Sequence, residues 1–400
     1  MGAQTCHGTI PPNETHSALA TGSAAENVAI DREAANRGAA NRAPVLIMAG
    51  GTGGHVFPAL AVAKVLRDRG VAVVWLGVPG SMESRLVPAN GFPIEWVRVA
   101  GIRGKGLLTW LLAPVSVVKA VAQALGVLRR VRPRSVLGLG GYASGPGGIA
   151  AWLLRIPLLI HEQNAIAGLT NRWLARLASQ VLEAFPHSFG PAARARTIGN
   201  PVRADIASLE APQTRFAGRD GRSRMLVFGG SQGAQRLNAV VPQALARLGL
   251  ENRPQVRHQA GERGLEAARA AYAAARVEAE VLPFIDDMAE ALSWADLAVC
   301  RAGAMTVAEL QAAGLGAIFV PLAVATDDHQ TKNAEVMVRI GAARIIQERD
   351  LTPESLGETI SELLADRARL LKMAEAARSS RVIDAAARLA ELCIAAGVHA

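Results

Sequence analysis

Two glycine-rich clusters, each directly behind a short apolar run, constrain the fold of this chain more than any other feature. The apolar residues 45–48 lead into glycines at residues 50–54, and residues 225–228 lead into glycines at residues 229–233. Glycine lets a backbone turn tightly and come close to a ligand. A short buried run, a glycine turn and a helical pattern together indicate a strand–turn–helix unit of a parallel sheet.

The same alternation of apolar runs and helical patterns continues along the whole chain. Further short apolar runs occur at residues 71–76, 135–139, 157–160, 297–300 and 317–320. Half of the 400 residues are hydrophobic and 19% are charged, so the chain can bury a large core. Because the two glycine clusters are far apart, two Rossmann-like domains are favoured over one long domain. The predicted fold class is therefore α/β, with two Rossmann-like domains built on parallel sheets.

Turns and changes in composition mark the ends of these domains. Residues 1–43 are rich in Ala, Gly, Asn, Thr and Ser with little periodicity, and they are predicted to be a disordered extension. A turn signal at residues 199–201 and a polar run at residues 218–224 bracket the expected linker. We therefore expect an N-terminal domain at residues 44–200 and a C-terminal domain at residues 201–375.

Composition narrows the classes of function. The net charge of +9 favours anionic partners, such as phosphorylated ligands or anionic lipid. Aromatic residues make up 4% and are not interleaved with a basic run, so nucleic acid is not expected as a partner. Three distant cysteines argue against a disulfide framework and fit a reducing compartment. We see no signal segment and no run of about 18 apolar residues, and expect no membrane span.

The first glycine cluster ends at His55, behind a predicted strand, where α/β folds bind their ligands. The helix that follows would offer free N–H groups to an anion. The cluster matches neither GxGxxG with a downstream acidic residue nor GxxxxGK[ST], so the dinucleotide and Walker motifs are excluded. A tight turn without a ligand, with His55 as a packing or capping residue, is the alternative interpretation.

The second half of the chain offers residues suited to a phosphate and a ribose. Ser231 and Gly233 repeat the first arrangement, and a hydroxyl beside helix N–H groups suits a phosphate. Thr306 lies near the start of a predicted helix, and Glu309 lies three residues later on the same side. A carboxylate in that place can accept two hydrogen bonds from ribose hydroxyls. The alternatives are a plain turn capped by Ser231 and a solvated Glu309.

Two polar segments suggest a metal site at first sight, but neither has the spacing of metal ligands. Residues 161–164 (HEQN) lack the HExxH pattern, and Asp327 and Asp328 lack the DxD pattern. Four polar side chains at the end of a buried strand are costly unless they are bonded or used. We predict no metal site.

A third glycine-rich segment, residues 140–148, indicates either amides that face a ligand or a flexible loop.

Five segments together resemble the MurG family of UDP-N-acetylglucosamine:muramyl-(pentapeptide) pyrophosphoryl-undecaprenol transferases. They occur in order within about residues 44–395: GGTGGH at 50–55, GGYASGPGG at 140–148, HEQN at 161–164, GGSQGA at 229–234 and AMTVAE at 304–309. The resemblance implies a GT-B fold, in which two Rossmann-like domains face a cleft. It assigns the acceptor and the membrane to the N-terminal domain and the UDP-sugar to the C-terminal domain. It also implies that a helix within residues 376–400 packs back on the N-terminal domain.

The implied reaction moves N-acetylglucosamine from UDP-N-acetylglucosamine to the muramyl 4-hydroxyl of a lipid-linked muramyl-pentapeptide. This inverting, metal-independent step of peptidoglycan synthesis converts lipid I (undecaprenyl-pyrophosphoryl-MurNAc-pentapeptide) into lipid II, and no cofactor is expected. His55 is expected to be the general base or its organiser, because imidazole titrates near working pH. Glu309 would hold the ribose, the Ile285 backbone would contact uracil and Gln330 would contact the sugar. Carried over position by position, the donor site comprises Thr52, Gly53, Gly54, Asn164, Arg203, Ser231, Ile285, Ala304, Met305, Thr306, Val307, Ala308, Glu309 and Gln330.

One segment is expected to contact a membrane. Leu107, Trp110 and Leu111 stand among Arg and Lys residues between residues 103 and 134, as in an interfacial helix on anionic lipid. An ordinary amphipathic core helix is the alternative. Because the implied acceptor is lipid-linked, we expect a peripheral protein on the cytoplasmic face of the cell inner membrane, with the cell-wall and division machinery as partners.

Two other functions are compatible with the same motifs. A sugar-nucleotide 2-epimerase also uses a GT-B fold with UDP-N-acetylglucosamine, but it needs no lipid acceptor and no apolar, basic surface. A non-enzymatic scaffold that binds a nucleotide sugar would keep Ser231 and Glu309 but would not need His55.

Overall fold

The computed structural model describes residues 43–99, 113–230, 233–322 and 328–397. Residues 1–42, which hold nearly all of the predicted disordered extension, lie outside the described residues. The described residues form two parallel β-sheets, each covered by helices on both faces.

The first sheet is built from the N-terminal half of the chain. Its strands are β1 (Val45–Met48), β2 (Val73–Gly77), β3 (Ile94–Trp96), β4 (Ser135–Gly138), β5 (Leu158–Glu162), β6 (Gln180–Glu183) and β7 (Arg196–Thr197). Its helices are α1 (Gly53–Asp68), α2 (Met82–Ala89), α3 (Ala113–Val131), α4 (Ser144–Leu153) and α5 (Leu169–Leu174). The strand order is β3-β2-β1-β4-β5-β6-β7, with all pairs parallel. Every residue of β1, β4 and β5 is buried, which explains the apolar runs that make up most of each strand.

The second sheet is built from the C-terminal half. Its strands are β8 (Arg224–Phe228), β9 (Gln255–Gln259), β10 (Glu280–Leu282), β11 (Leu297–Cys300), β12 (Ala317–Phe319) and β13 (Ala343–Ile345). The helices are α6 (Ala204–Ala207), α7 (Pro212–Phe216), α8 (Gln235–Ala246), α9 (Leu265–Ala275), α10 (Met288–Trp294), α11 (Ala304–Ala313), α12 (His329–Arg339), α13 (Pro353–Leu364), α14 (Arg367–Ser379) and α15 (Ala385–Ala396). The parallel strand order is β10-β9-β8-β11-β12-β13.

Both sheets have the strand order of a Rossmann fold. In each sheet the chain adds two strands outward from the first strand and then crosses to the other side of it. The crossing leaves a crevice at the carboxyl ends of two neighbouring strands, β1 and β4 in one sheet and β8 and β11 in the other. The glycine clusters follow β1, β4 and β8 and therefore lie at these two crevices. The prediction of two Rossmann-like domains is confirmed.

The C-terminal helix α15 returns to the first sheet. Helix α14 packs on α11 of the second sheet, whereas α15 packs on α1 and β4 of the first. The Ser135 hydroxyl donates to the Cys393 carbonyl at 2.8 Å, and Arg134 Nη2 donates to the Ile394 carbonyl at 3.1 Å. The crossing between the two units therefore occurs at residues 380–384.

Candidate active site

A buried carboxylate holds the first glycine cluster in place. Glu83 Oε2 accepts from the Gly51 N–H at 3.0 Å, and Glu83 Oε1 accepts from the Val78 N–H at 3.1 Å. Gly51 has a φ of +87°, which favours glycine there. With its backbone fixed, the cluster leads directly into α1, where Thr52 is the N-cap residue. The Thr52 side chain caps no N–H among the described residues, so the start of this helix is available to a ligand.

His55 lies in the first turn of α1, where three of the predicted motifs meet. Its Nδ1 atom lies 2.9 Å from Gln163 Oε1, in the segment that ends β5. Its ring lies against Gly140 after β4, so closely that a Cβ atom on Gly140 would be 2.8 Å from His55 Cε1. The adjacent Gly141 would place a Cβ atom 2.5 Å from the Gly50 carbonyl oxygen. Glycine at residues 140 and 141 therefore allows the loop after β4 and the loop after β1 to contact each other around His55.

Both oxygen atoms of the Glu162 carboxylate accept hydrogen bonds from within the protein. Glu162 Oε1 accepts from the backbone and the side-chain nitrogen of Asn164, both at 2.9 Å. Glu162 Oε2 accepts from the Gly168 N–H at 3.1 Å and from Asn171 Nδ2 at 2.8 Å. These four donors offset the cost of burying the charge. Glu162 therefore orients Asn164, one of the predicted donor residues.

Asn333 on α12 joins the two halves of the site, a role for which the sequence shows no motif. Its side chain is completely buried, and its Oδ1 atom accepts from the Ala165 N–H at 2.8 Å. Its Nδ2 atom donates to Asn164 Oδ1 at 3.2 Å and to the Ala302 carbonyl at 3.1 Å. Asn200 in the linker adds a bond from its Nδ2 atom to the Gln163 carbonyl at 3.0 Å. The sequence does not reveal this bridge, because the residues that Asn333 contacts come together only when the two units pack against each other.

The predicted phosphate residue Thr306 and the predicted ribose residue Glu309 lie in the first two turns of α11. Gly303 is the N-cap residue, and it has no side chain to cap the first N–H groups. Glu309 Oε1 lies 3.3 Å from Arg203 Nε, and the Glu309 side chain is 18% exposed. Burial raises the pKa of the Glu309 carboxyl, and the charge of Arg203 opposes that rise. The structure thus pairs Arg203 with Glu309, two residues assigned separately from the sequence.

The other predicted donor residues are placed as follows. Ile285 belongs to the same buried apolar cluster as Ala304 and Val307. Gln330, in the first turn of α12, accepts from the Leu322 N–H through its Oε1 atom at 3.0 Å. Ser231 lies outside the described residues. Helices α1 and α11 contact each other, so the helix that carries His55 meets the helix that carries Glu309 between the two sheets.

Comparisons with known proteins identify the family. Family models for the N-terminal and C-terminal domains of glycosyltransferase family 28 match residues 45–183 and 224–389. One relative, from Marinobacter nauticus, is 56% identical to this chain over 351 residues, which is 88% of this chain and 97% of that protein. That protein is named UDP-N-acetylglucosamine--N-acetylmuramyl-(pentapeptide) pyrophosphoryl-undecaprenol N-acetylglucosamine transferase. The crystal structure of MurG from Acinetobacter baumannii is 43% identical with a TM-score of 0.77, covering 87% of this chain and 98% of that one. The chain belongs to the MurG family.

Membership of the MurG family makes this protein a glycosyltransferase of the N-acetylglucosaminyl class with a GT-B fold, and both predictions are confirmed. A UDP-GlcNAc 2-epimerase from Neisseria meningitidis shares the architecture, with a TM-score of 0.61 over 87% of this chain and 98% of that one. Its sequence identity is 11%, so this likeness is one of fold alone. The roles of the individual site residues, and the contact of Leu107, Trp110 and Leu111 with a membrane, stay predictions; these three residues lie outside the described ranges.

Proposed function

We propose that this protein transfers N-acetylglucosamine from UDP-N-acetylglucosamine to the muramyl 4-hydroxyl of the undecaprenyl-pyrophosphoryl-linked muramyl-pentapeptide. The product of this step in peptidoglycan synthesis is lipid II. The observation that carries the proposal is the meeting of α1 and α11 between the two sheets, with His55 on one helix and Glu309 on the other. This arrangement offers one side of the cleft to an acceptor and the other to a nucleotide sugar.

In the proposed mechanism His55 is the general base. The muramyl oxygen attacks the anomeric carbon from the face opposite UDP and gives its proton to His55 as the new carbon–oxygen bond forms. The bond between the anomeric carbon and the phosphate oxygen breaks, and its electron pair leaves with UDP. The starts of α8 and α11, with the hydroxyl groups of Ser231 and Thr306 and the Arg203 guanidinium, stabilise the charge that UDP gains.

Bound UDP-N-acetylglucosamine would replace the ion pair between Arg203 and Glu309. The Glu309 carboxylate accepts hydrogen bonds from the ribose hydroxyls, the Ile285 backbone contacts uracil and Gln330 contacts the sugar. Arg203, which lies against Glu309 in this structure, then turns its guanidinium toward the diphosphate. Asn164, held by Glu162 and Asn333, completes the wall of the cleft beside the sugar.

An acceptor-dependence assay tests this function directly. UDP release from UDP-N-acetylglucosamine is measured with and without a short-chain analogue of the lipid-linked muramyl-pentapeptide. We expect release only with the acceptor, together with a new disaccharide product. Conversion of the donor without the acceptor would indicate the epimerase instead, and binding without turnover would indicate the scaffold.

The role of His55 is tested by His55→Ala. Loss of a general base typically slows a reaction by about 100-fold or more, so we expect turnover to fall by at least that factor. The dissociation constant of UDP, measured by calorimetry, should change less than about threefold, because His55 acts on the acceptor hydroxyl. An equal loss of turnover and UDP binding would contradict the catalytic role.

We also propose that the protein lies on the cytoplasmic face of the cell inner membrane as a peripheral protein. Helix α4 packs on both α3 and α5, and exposed apolar side chains project from all three helices, including Val118, Trp152 and Trp173. The Arg176 guanidinium lies 4.7 Å from the centre of the Trp173 ring. Exposed tryptophan beside arginine suits an anionic lipid interface. None of the helices in the described ranges has the length and hydropathy needed to span a bilayer.

Liposome flotation tests the membrane surface. The double variant Trp152→Ser and Trp173→Ser should bind anionic vesicles less than the unmodified protein, and Leu107→Ser, Trp110→Ser and Leu111→Ser should weaken binding further. Leu250→Ser is the matched control, because Leu250 is 70% exposed but lies in the other half of the chain. Flotation of the double variant equal to that of the unmodified protein would contradict the surface. Contact with the cell-wall and division machinery stays a prediction.

A further inference from the structure

A chain of hydrogen bonds runs from His55 through two buried side chains to a backbone carbonyl in the linker. His55 Nδ1 lies 2.9 Å from Gln163 Oε1, and Gln163 Nε2 lies 3.1 Å from His161 Nδ1. His161 Nε2 lies 2.9 Å from the Gly199 carbonyl oxygen. His161 and Gln163 are both buried, so water does not compete for these bonds.

The direction of the bond at the far end follows from the chemistry of the carbonyl. The Gly199 oxygen can only accept, so the proton of His161 lies on Nε2. Complete burial lowers the pKa of His161 to about 4, which keeps the ring neutral at working pH. The Nδ1 atom of His161 therefore carries a lone pair and accepts from Gln163.

A second carbonyl fixes the orientation of the Gln163 amide independently. Gln163 Nε2 also lies 3.1 Å from the backbone carbonyl oxygen of His161, which can only accept. The atom that faces this oxygen must be the amide nitrogen. The amide oxygen therefore faces His55, and because an amide oxygen can only accept, His55 must carry a proton on Nδ1.

The packing of the linker holds the anchoring carbonyl in place. Gly199 has a φ of +82°, and a Cβ atom there would lie 2.5 Å from the Cβ atom of Val382 in the segment that crosses back to the first sheet. The next residue, Asn200, donates to the Gln163 carbonyl at 3.0 Å. The Gly199 carbonyl and the backbone of Gln163 are thus both held in place by the linker.

We propose that Gln163 and His161 are positioning residues that keep neutral His55 as its Nδ1–H tautomer, so that Nε2 presents its lone pair to the acceptor hydroxyl. No described residue makes a hydrogen bond to His55 Nε2, which leaves that atom for the substrate. The bond made by one ring nitrogen decides which nitrogen is protonated. The catalytic meaning of this arrangement rests on the proposed role of His55 as general base.

The tautomer is read directly from the ¹⁵N chemical shifts of the imidazole ring in protein labelled at histidine. The His55 signals are assigned by their absence in His55→Ala. We expect a protonated Nδ1 and an unprotonated Nε2 in the unmodified protein at pH 8. A His55 ring with its proton on Nε2 would overturn the proposal without any further variant.

Two substitutions of Gln163 separate orientation from packing. Gln163→Leu fills the space but removes the acceptor, so we expect the proton to move to Nε2 and kcat to fall by about tenfold or more. The KM for UDP-N-acetylglucosamine should stay within about twofold. Gln163→Glu keeps an acceptor for His55 Nδ1–H but loses the donor to His161. It should therefore retain the Nδ1–H tautomer and lose less turnover than Gln163→Leu.

Tyr272→Phe is the matched control. In the second sheet the Tyr272 hydroxyl lies 2.9 Å from Nδ1 of buried His258, whose Nε2 lies 3.0 Å from Asn238 Oδ1. This change also breaks a buried histidine network, but it should leave the His55 tautomer and kcat unaltered. A loss of kcat equal to that of Gln163→Leu would mean that destabilisation alone explains both, and would overturn the proposal.

The outcomes for Gln163→Leu distinguish this proposal from the one on which it rests. An unchanged His55 tautomer would overturn the positioning role, even if His55 is the base. A shifted tautomer with unchanged kcat would confirm the chain of bonds and contradict His55 as the base.

Discussion

At the scale of single residues, two buried histidines contribute to a loss of stability in acid. Burial lowers the pKa of both His161 and His258 from the ordinary 6.5 to about 4. In the unfolded chain both would bind a proton near pH 6.5. Between pH 6.5 and 4 the unfolded state therefore binds more protons, and the free energy of unfolding falls as the pH falls.

We predict that chemical denaturation will show this loss of stability, by at most about 3 kcal/mol for each histidine. The variant His258→Gln should make the free energy of unfolding less dependent on pH between 6.5 and 4, while its value at pH 7 falls because the pair with Tyr272 is lost. Equal pH dependence in the variant and the unmodified protein would contradict the assignment for His258.

Single residues also show the limit of reasoning from the sequence. Glu309 and Arg203 were predicted as donor residues, but their ion pair was not, because the two lie about a hundred positions apart. From the polar run at residues 161–164, the sequence predicted side chains that are hydrogen-bonded within the protein or used at a site. The structure shows the hydrogen-bond partners of each of these side chains. Glu162 is satisfied within the protein, whereas Gln163 links His55 to His161.

At the scale of elements, the central strands could be predicted from the sequence, because strands that are buried on both faces have mostly apolar residues. Strands β1, β4 and β11 are apolar runs followed by glycine or polar residues. Strand β9 gave no such signal, since its His258 and Gln259 side chains are polar. Their partners, Asn238 and the Gly230 carbonyl, lie 20 and 29 positions away along the chain. The short edge strands β3, β7 and β13 are partly exposed and lack an apolar run.

The Glu83 carboxylate attaches the first glycine cluster to α2, and its removal should loosen that cluster. Glu83→Ala would remove the acceptor of the Gly51 and Val78 N–H groups, at a cost of about 0.5–1.5 kcal/mol for each of these partly buried hydrogen bonds. We expect a lower free energy of unfolding and faster amide hydrogen exchange at both N–H groups.

Glu95→Ala serves as the control for Glu83→Ala. Glu95 makes a surface ion pair with Arg130 at 2.6 Å, and exposed pairs contribute about 0–1 kcal/mol. Unchanged exchange at Gly51 in Glu83→Ala would show that the glycine cluster keeps its conformation without the carboxylate.

At the scale of the whole molecule, the two sheets are joined by buried amides and by the C-terminal helix. Asn333 makes three hydrogen bonds that connect the segment after β5 with the segment after β11. Periodicity and turns are local, so the sequence itself predicted the two domains, whereas the returning helix was expected only from the family resemblance. The sequence did not predict this bridge, because the bridge depends on how the two sheets meet.

Asn333→Leu tests the bridge. The substitution leaves the Ala165 N–H and the Ala302 carbonyl unpaired, so we expect a loss of about 1–3 kcal/mol per buried group. Looser contact between the units should also make the linker more open to proteolysis and raise the KM for UDP-N-acetylglucosamine. The neighbouring Lys332→Ala, on an exposed position of the same helix, should alter neither quantity. Unaltered proteolysis and KM in Asn333→Leu would argue against the bridge.

The proposed reaction is one direct displacement in the cleft, in which His55 accepts the proton and UDP leaves from the opposite face. The most direct test is the configuration of the new glycosidic bond. UDP-N-acetylglucosamine, which holds its sugar in the α configuration, is incubated with the protein and the short-chain lipid-linked acceptor, and the disaccharide is examined by NMR. We predict a β linkage to the muramyl 4-oxygen, formed only when the acceptor is present. An α linkage, or donor turnover that yields no disaccharide, would contradict the account.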